Sequence, residues 1–416
     1  MTLNDIISKD GFAGHRFQNA RNAIYGTHET DTHESRRGSQ YIDEAEQSTV
    51  DNNHIVYERA NFLLDARYEV KHILGKGSYG TVCSAIDTKS KDNAPLAIKK
   101  VCNIFNKEVL LKRAIRELKL LEFFKGHKNI IGLVDLDIVY MKPYDGLYCF
   151  QELVDYDLAK VIHSSVQFSE YHIQSFFYQI CCGVKYMHSA KVIHRDLKPG
   201  NILVTSQGCL KICDFGLARG ISEKFMNHNH KSCNITNYVA TRWYRAPELI
   251  LARKPYGTAV DIWAIGCIFA ELYGRRPIFI GDDQIQQINE ICKVIGSPSR
   301  EVICGYGTTI AWDIFSDPKP KFLKKDWKDI YPHANDAAFD LLDRMICWEV
   351  STRYNIDQIL RHPYLAKIRN PDEEVNLDQE FDFSFEWKAH NLNNMKKVLQ
   401  EEVENFKKKK NELDIK

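Results

Sequence analysis

The alternation of apolar and polar residues divides the chain into an early part with strand periodicity and a later part with helical periodicity. In Arg67–Val101, β-branched and aromatic residues alternate with polar ones around a glycine-containing turn, which predicts three strands. Apolar residues at helical spacing follow in Asn106–Phe124, and the apolar runs Ile130–Asp137 and Leu147–Glu152 predict two more strands. The early part is therefore predicted to be a small, sheet-rich lobe.

Beyond a junction at Glu152–Asp157, the pattern becomes mostly helical. In Phe168–His188, apolar side chains recur at helical spacing and form one stripe. The stripe consists of Ile173, Phe176, Phe177, Ile180, Val184 and Met187. Such a stripe is typical of a helix with one buried face, so we interpret it as core and not as a binding site. The whole pattern predicts an α+β chain in which a larger helical lobe follows the sheet-rich one.

The segment before these elements is polar and weakly patterned. Residues 26–40 contain no aromatic and no branched aliphatic residue, so they cannot bury enough apolar surface to offset the entropy lost on ordering. We therefore predict a disordered arm over residues 1–60, with order beginning near Arg67. The arm is either a spacer or a regulatory or docking segment.

Composition excludes several classes of protein. The chain has 416 residues, of which 44% are hydrophobic and 27% charged, and its net charge of +1 gives no reason to expect nucleic acid or a membrane surface as a partner. No apolar run approaches the ~18 residues of a membrane span, and no apolar signal-peptide core is visible. The 12 cysteines are scattered without a repeated Cys-x-x-Cys spacing, which indicates reduced thiols and a location in the cytoplasm and nucleus.

The first candidate for chemistry is a glycine-rich turn between two predicted strands. It reads Gly75-Lys76-Gly77-Ser78-Tyr79-Gly80 and is followed by Val82. Glycines, which have no Cβ, let backbone N–H groups approach phosphates closely. A dinucleotide-binding turn of the same spacing would require a helix directly after it. Strands on both sides therefore favour a hairpin that covers a nucleotide.

A lysine and a glutamate form the second candidate. Lys99 lies on the third predicted strand, and Lys100 must face the opposite side of the sheet. Glu117 falls within the apolar stripe of the predicted helix. A carboxylate that faces inward needs a cationic partner, and Lys99 is the one available. The alternative is that the two lysines are simply solvated.

Three further motifs follow the first two candidates along the chain. They are His194-Arg195-Asp196-Leu197-Lys198-Pro199-Gly200-Asn201, Asp214-Phe215-Gly216 and Ala246-Pro247-Glu248. In this order, the five motifs resemble the signature of the eukaryotic protein kinases over residues 67–366. The resemblance implies a bilobal α+β fold within a kinase domain at 61–366. Its small β-rich N-lobe would span about residues 67–152, and its larger α-helical C-lobe about residues 157–366.

The same resemblance implies phosphoryl transfer from ATP. By resemblance, Asp196 accepts the proton of the substrate hydroxyl, Lys198 supports the γ-phosphate, and Lys99, paired with Glu117, contacts the α- and β-phosphates. The implied nucleotide-binding residues are Gly75, Lys76, Gly77, Ser78, Tyr79, Gly80, Val82, Ala97, Lys99, Gln151, Glu152, Val154 and Asp157.

The resemblance further implies a metal site and two structural contacts. Asn201 and Asp214 would hold Mg²⁺, a hard cation that oxygen ligands suit. Glu248 is expected to pair with Arg353, and Asp261 to brace the catalytic loop from a buried position. Because no catalytic position departs from the family pattern, we expect an active enzyme. A kinase fold that serves only as a scaffold is the alternative.

The segment before Ala-Pro-Glu narrows the resemblance. Tyr238–Glu248 resembles the mitogen-activated protein kinases, and Thr236-Asn237-Tyr238 resembles the Thr-x-Tyr pair that is phosphorylated in that family. The asparagine between them is similar to the sporulation-specific members in budding yeasts, which implies a role in late meiosis and spore-wall assembly. A cyclin-dependent kinase is disfavoured because it carries no tyrosine at the position of Tyr238.

The charges near this segment suggest how a switch would operate. Without a phosphate on Thr236, we expect the arginines near it to be uncompensated, and a phosphate of about −2 would gather them. The resemblance assigns Arg116, Arg195 and Arg219 to a phosphate on Thr236, and Arg242 and Arg245 to a phosphate on Tyr238. It also implies substrates in which proline follows the target Ser or Thr.

Residues 367–416 resemble the family's C-terminal extension, which packs back on the N-lobe, with Phe381 and Phe383 as its apolar anchors. The acidic run Asn370–Glu374 stands where the family binds basic docking peptides. An asparagine replaces the usual aspartate there, so the groove is either re-specified or an ordinary solvated run. Lys407–Lys410 is interpreted as a solvated basic end, with nuclear import as the alternative. The expected partners are Ser/Thr-Pro substrates, an upstream activating kinase and docking peptides, and we expect a monomer.

Overall fold

The computed structural model describes residues 40–41, 47–51, 53–77, 80–90, 92–222, 241–251, 256–315, 321–389 and 391–414. These residues divide into two compact units. The N-terminal unit comprises described residues of 40–127, 131–154 and 384–414, and the C-terminal unit comprises 128–130 and described residues of 155–383. Strands predominate in the first unit and helices in the second, which confirms the α+β prediction.

The N-terminal unit contains antiparallel sheets. Its strands are β1 (Gln40–Tyr41), β2 (Gln47–Asp51), β3 (His54–Tyr57), β4 (Phe62–Asp65), β5 (Tyr68–Gly77), β6 (Gly80–Asp87), β7 (Pro95–Val101), β8 (Leu133–Val139) and β9 (Gly146–Glu152). The main sheet has the order β1-β5-β6-β7-β9-β8, and β2, β3 and β4 form a separate meander. Each neighbouring pair in the main sheet is antiparallel. The predicted strands are therefore present, although β8 begins three residues after the predicted Ile130.

The meander corrects the predicted start of order. Tyr57 and Phe62 are fully buried, although both precede the expected boundary near Arg67. The Tyr57 hydroxyl donates to the carbonyl of Tyr68 at 3.0 Å, which fixes the meander to β5. The strands are too short for a clear alternation to appear, but their few apolar residues are enough to join the core. Residues 1–39 of the predicted arm lie outside the described residues.

Helix α1 (Glu108–Phe123) follows β7 and lies within the segment predicted to be helical. Its apolar stripe is buried and includes Leu111, Ala114, Leu118 and Leu121. Burial of this stripe, rather than helix propensity alone, stabilises a helix of this length in water.

The C-terminal unit is mainly helical. Its helices are α2 (Leu158–Ile162), α3 (Glu170–Ser189), α4 (Pro247–Leu251), α5 (Ala259–Gly274), α6 (Gln284–Ile295), α7 (Arg300–Tyr306), α8 (Thr309–Phe315), α9 (Trp327–Ile330), α10 (Asp336–Met345) and α11 (Ile356–Leu360). Short strands accompany them at β10 (Tyr156–Asp157), β11 (Val192–Ile193), β12 (Ile202–Val204), β13 (Leu210–Ile212) and β14 (Arg219–Gly220). The predicted stripe on α3 is buried along its whole length, which confirms its interpretation as core.

The last described part of the chain belongs to the N-terminal unit from Ser384 onward. It contains α12 (Phe385–Lys388) and α13 (Leu392–Asp414). From here on, the C-terminal extension means residues 384–414 only, because residues 367–383 of the predicted extension belong to the C-terminal unit. The predicted anchors Phe381 and Phe383 are buried, but they belong to the C-terminal unit. Among the described residues, no helix is long and apolar enough to cross a membrane.

Candidate functional site

The predicted lysine–glutamate pair is present in the N-terminal unit. Lys99 Nζ lies 2.6 Å from Glu117 Oε1, which joins β7 to α1. The Glu117 side chain is only 10% exposed, so its charge depends on this partner. The pair fixes an ammonium group at a defined position, as recognition of a polyphosphate requires.

Lys100 shows that the strand alternation was predicted correctly and that the solvated alternative fails. Its side chain is buried, and Nζ donates to the carbonyls of Asn61 at 2.6 Å and Pro143 at 3.2 Å. Burial lowers the pKa of Lys100. Lys100 therefore ties the connection between β3 and β4 to the main sheet, and Lys99 is the lysine left for chemistry.

The glycine-rich turn is a hairpin between β5 and β6, as predicted. Gly77 pairs with Gly80 across the turn, and strands lie on both sides. Gly80 has φ +149°, and a Cβ built there would lie 1.7 Å from the carbonyl oxygen of Lys100, so only glycine fits. Ser78 and Tyr79, at the tip, lie outside the described residues. The hairpin rules out the strand–turn–helix geometry of a dinucleotide fold.

The residues assigned to adenine and ribose lie around the end of β9 and the start of α2. Gln151 lies opposite Ala97 in the sheet. The Glu152 side chain accepts from the Gly132 N–H at 2.6 Å, and its own N–H donates to the Gly132 carbonyl at 3.1 Å. Asp157 is the N-cap of α2 and accepts from the Lys160 N–H at 2.8 Å. The Asp157 side chain, which the sequence assigned to ribose, therefore also caps a helix.

The predicted catalytic residues of the C-terminal unit converge on Asp196. Lys198 Nζ donates to Asp196 Oδ2 at 2.9 Å. Asn201 Nδ2 donates to the same oxygen at 2.9 Å and to the Asp196 carbonyl at 2.8 Å. The carboxylate is thus held by two donors from its own loop, which orients it for a substrate hydroxyl.

Asp261 of α5 braces this loop as predicted. It is fully buried and accepts from the backbone N–H groups of His194 at 2.8 Å and Arg195 at 2.9 Å. His188 Nε2 lies 2.9 Å from Oδ2 of Asp261, the oxygen that also accepts from the His194 N–H. Burial would raise the pKa of Asp261, but these interactions lower it below its usual range. The brace holds Arg195 in a left-handed conformation with φ 68°, which a non-glycine residue adopts only when its surroundings impose it.

The two predicted metal ligands lie on segments that are joined by their backbones. Asp214 directly follows Cys213, whose N–H donates to the Asn201 carbonyl at 3.0 Å. Because the amide nitrogen of Asn201 donates to Asp196, the amide oxygen is the atom that would bind a cation. Asp214 adopts a left-handed conformation with φ 66°. The donor set of one carboxylate and one amide oxygen fits Mg²⁺.

The predicted phosphorylation sites, Thr236 and Tyr238, lie outside the described residues, but the assigned arginines can be located. Burial lowers the pKa of Arg245, and the positive charges of Arg242 and Arg195 lower it further against the opposing effect of Asp196. We call Arg195, Arg242 and Arg245 of the C-terminal unit the cationic group, because the first two disfavour the charge of Arg245 and an anion beside it would stabilise that charge.

The other two assigned arginines have different surroundings. Arg219 donates to the carbonyl of Ala218 at 2.8 Å. Arg116 belongs to the N-terminal unit, is only 2% exposed, and is paired with Glu386 of the C-terminal extension at 2.5 Å. The expectation that Arg116 is uncompensated without a phosphate is therefore wrong.

The expected pair between Glu248 and Arg353 is bidentate and buried. Its nitrogen–oxygen distances are 2.7 and 3.2 Å. Arg353 also donates to the Ala259 carbonyl at 2.8 Å, which joins α4 to the start of α5. The pair anchors the end of the segment that contains the predicted phosphorylation sites.

A buried group around Glu271 was missed from the sequence. Glu271 of α5 is fully buried and accepts from the Tyr244 hydroxyl at 2.6 Å, while His163 Nε2 lies 3.8 Å from its other oxygen. Burial raises the pKa of Glu271 to about 7. A carboxylate within the apolar run of α5 was a visible signal, of the same kind that identified Glu117.

The acidic run assigned to docking is largely neutralised by its neighbours. Glu374 forms a bidentate pair with Arg369 at 2.7 and 3.1 Å. Glu373 lies 2.5 Å from Lys128. The Asn370 side chain accepts from the Asp372 N–H and caps a short turn. The run is therefore not an ordinary solvated stretch, and a basic peptide would have to compete with internal cations.

Comparison with known proteins agrees with this arrangement. The protein kinase domain family matches residues 68–365. The sporulation-specific mitogen-activated protein kinase SMK1 of Saccharomyces cerevisiae is 54% identical over 355 residues, which cover 85% of this chain and 92% of that protein. The mitogen-activated protein kinase MPS1 of Pyricularia oryzae is 44% identical over 347 residues, which cover 83% of this chain and 82% of that protein. The mitogen-activated protein kinase SLT2/MPK1 of Saccharomyces cerevisiae is 44% identical over 353 residues, with coverage of 83% and 71%. The chain therefore belongs to the mitogen-activated protein kinases, a family of Ser/Thr protein kinases.

Proposed function

We propose that this chain is a catalytically active, proline-directed kinase that is switched on by phosphorylation of Thr236 and Tyr238 and acts in meiosis and spore-wall assembly. The observation that carries the proposal is the catalytic loop, in which Lys198 and Asn201 both donate to Oδ2 of Asp196. A scaffold would have no need of this arrangement.

The chemistry of each unit follows from its own groups. In the N-terminal unit, Lys99 would neutralise the α- and β-phosphates of ATP while Glu117 keeps its ammonium in position. In the C-terminal unit, Asp196 would orient the substrate hydroxyl and take its proton, and Asn201 and Asp214 would hold Mg²⁺. The metal ion would neutralise charge on the phosphates when bound.

The switch is supported by the cationic group in the C-terminal unit. Arg195 and Arg242 disfavour the positive charge of Arg245, so a phosphate beside this cationic group would stabilise that charge. Arg195 is a direct neighbour of Asp196 in the sequence, which offers a route from phosphate binding to the catalytic carboxylate. The preference for proline after the target residue rests on the Tyr238–Glu248 string and its family resemblance.

The biological setting is supported by the name of a relative and by cysteine chemistry. SMK1, 54% identical to this chain, is named as sporulation-specific. The cysteines of the described residues are free thiols, as expected of a protein in the cytoplasm and nucleus.

A transfer assay with Mg²⁺-ATP on Ser-Pro and Ser-Ala peptides tests the proposal, paired with phosphopeptide mapping of the 216–248 segment. We expect transfer to the Ser-Pro peptide, phosphate on Thr236 and Tyr238, and lower activity for Thr236→Ala. Asp196→Asn should reduce kcat by at least about a hundredfold because it removes the proton acceptor. Asp329→Asn, the same change at an exposed position, should have no effect. Transfer that persists in Asp196→Asn would contradict the assignment, and a doubly phosphorylated but inactive protein would favour the scaffold.

A further inference from the structure

One face of α1 carries charged residues one turn apart, and each is paired with the C-terminal extension. Arg116 pairs with Glu386 at 2.5 Å, Lys119 with Glu402 at 2.5 Å, and Glu122 with Lys409 at 2.6 Å. The spacing i, i+3, i+6 places these side chains in a row along the helix. The sign of the charge on α1 reverses at Glu122, and the extension reverses its sign with it. The contact is therefore matched in charge along the second half of α1.

The basic run Lys407–Lys410 belongs to the same contact. Lys407 pairs with Asp137 at 2.6 Å and Lys410 with Asp135 at 2.5 Å, both on β8. Lys407, Lys408 and Lys409 are exposed, as predicted, but the run also forms ion pairs that the sequence did not indicate. Next to the ion pairs, α13 buries a stripe of apolar side chains. The stripe consists of Met395, Leu399, Val403 and Phe406. The extension thus fixes α1 and β8 by apolar burial and by charge together.

The Arg116–Glu386 pair differs from the others in its burial. The side chains of Arg116 and Glu386 are 2% and 12% exposed, whereas those of Lys119 and Glu402 are both 22% exposed. Loss of one partner from a buried pair leaves an uncompensated charge, while a more exposed pair contributes little. Arg116 also directly precedes Glu117, so the same turn of α1 carries both residues. The pair is therefore the strongest polar link between the extension and the part of α1 that reaches Lys99.

We propose that Glu386 is a positioning residue that supplies Arg116 with a built-in anion and so holds the Lys99–Glu117 pair in place before any phosphorylation. This inference rests on the proposed function, because it assigns to Glu386 a task that the sequence assigned to a phosphate. It follows that the increase in activity on phosphorylation of Thr236 depends less on Arg116 than on the arginines of the C-terminal unit. The C-terminal extension is then a part of the phosphate-binding machinery of the N-terminal unit, and not only a cover for its core.

The test compares Glu386→Gln with the matched variant Glu402→Gln in the full-length chain, each with and without Thr236→Ala. Both variants remove one carboxylate that the extension presents to a cation of α1. In the Thr236→Ala background, Glu386→Gln should lower kcat about tenfold with an unchanged KM for the peptide, and Glu402→Gln should lower it less than about twofold. The ratio of phosphorylated to unphosphorylated rate should rise in Glu386→Gln only, because Arg116 then loses the carboxylate of Glu386.

Amide hydrogen exchange in residues 111–121 provides a readout that does not require activity. Exchange should become faster in Glu386→Gln, and Glu386→Asp, which keeps the charge, should restore it in large part. Equal effects of Glu386→Gln and Glu402→Gln on rate and exchange would overturn the proposal and leave a general packing role. Unchanged exchange and an unchanged phosphorylation ratio in Glu386→Gln would overturn it as well. If no form of the protein transferred phosphate, the proposed function would fail, while the exchange data would still decide the role of Glu386.

Discussion

Two carboxylates of α5, Asp261 and Glu271, are equally buried but have opposite pKa shifts. Asp261 accepts two backbone hydrogen bonds and contacts His188, and its pKa is lowered. Glu271 accepts a hydrogen bond from Tyr244, and burial raises its pKa to about 7. The difference follows from the number of donors that each anion receives in place of water. Asp261 is therefore an anion at neutral pH, whereas Glu271 retains its proton over much of the acidic range.

The position of His163 favours a neutral Glu271. His163 Nδ1 lies 2.7 Å from the Ala159 carbonyl, an acceptor, so Nδ1 carries a proton. In a neutral ring Nε2 is then an acceptor and faces Glu271 Oε1 at 3.8 Å. Neither of these two atoms has a hydrogen-bond partner among the described residues. Burial lowers the pKa of His163, so the proton between the two groups belongs on Glu271.

Glu271 should make the stability of the protein fall as the pH rises toward neutrality. Because its pKa is raised from 4.5 to about 7 on folding, the folded state binds more protons than the unfolded chain between these values, and the associated stability is lost across that interval. We expect the urea midpoint of the wild type to fall between about pH 5 and pH 7 more steeply than that of Glu271→Gln, and the two profiles to run parallel above about pH 8. The glutamine can accept from Tyr244 and donate to His163 without ionising. Parallel profiles of the two proteins between about pH 5 and pH 7 would contradict this, and Glu349→Gln at an exposed position serves as the control.

At the scale of single elements, the sequence predicts best where a regular period extends over many residues. The helix predicted at Asn106–Phe124 is observed at Glu108–Phe123. Glu117 could be assigned to its buried face because a long helical period determines which residues face the core. The meander was missed because β3 and β4 have four residues each, too few for alternation to be recognised. The Arg116–Glu386 pair joins residues 270 positions apart, and no local pattern encodes such a contact. Spacing thus predicted the elements and the local motifs, but not the partners brought together by the tertiary fold.

In the segment after α11, internal cations neutralise two of the acidic residues assigned to docking. Arg369 pairs with Glu374, whose side chain is 6% exposed, and Lys128 pairs with Glu373. Arg369→Gln should release the charge of Glu374 and strengthen the binding of a Lys/Arg-rich docking peptide by about threefold to tenfold. Fluorescence anisotropy of a labelled peptide at low salt measures the effect, which should shrink as salt screens it.

Lys367→Gln is the matched control for this prediction, because it removes the same charge from an exposed position a few residues away. Equal gains in the two variants would mean that the peptide senses only net charge. Weaker binding in Arg369→Gln would mean that Arg369 itself contacts the peptide or orders the run, and would contradict the view that it masks Glu374.

At the scale of the whole molecule, a unit is not a continuous stretch of chain. The last helix of the N-terminal unit, α13, lies at the far end of the sequence and follows all described residues of the C-terminal unit. Contacts of such high sequence separation have a large loop-closure entropy, so the extension is expected to join the unit late in folding. The stability of this contact must then come from the apolar stripe of α13, because most of the surrounding ion pairs are partly exposed and contribute little.

Leu399 is the most informative position for testing this dependence. It lies in the middle of the α13 stripe and is fully buried. Leu399→Ala should reduce the free energy of unfolding by about 2–5 kcal/mol, the usual range for a buried leucine that leaves a cavity. Urea unfolding followed by circular dichroism measures the change, and Lys397→Ala on the exposed side of the same helix should change it by less than about 0.5 kcal/mol. Because α1 packs against α13, Leu399→Ala should also speed amide exchange in α1, where Lys397→Ala should not. A large loss of stability without faster exchange in α1 would show that α13 is held by the unit but does not position α1.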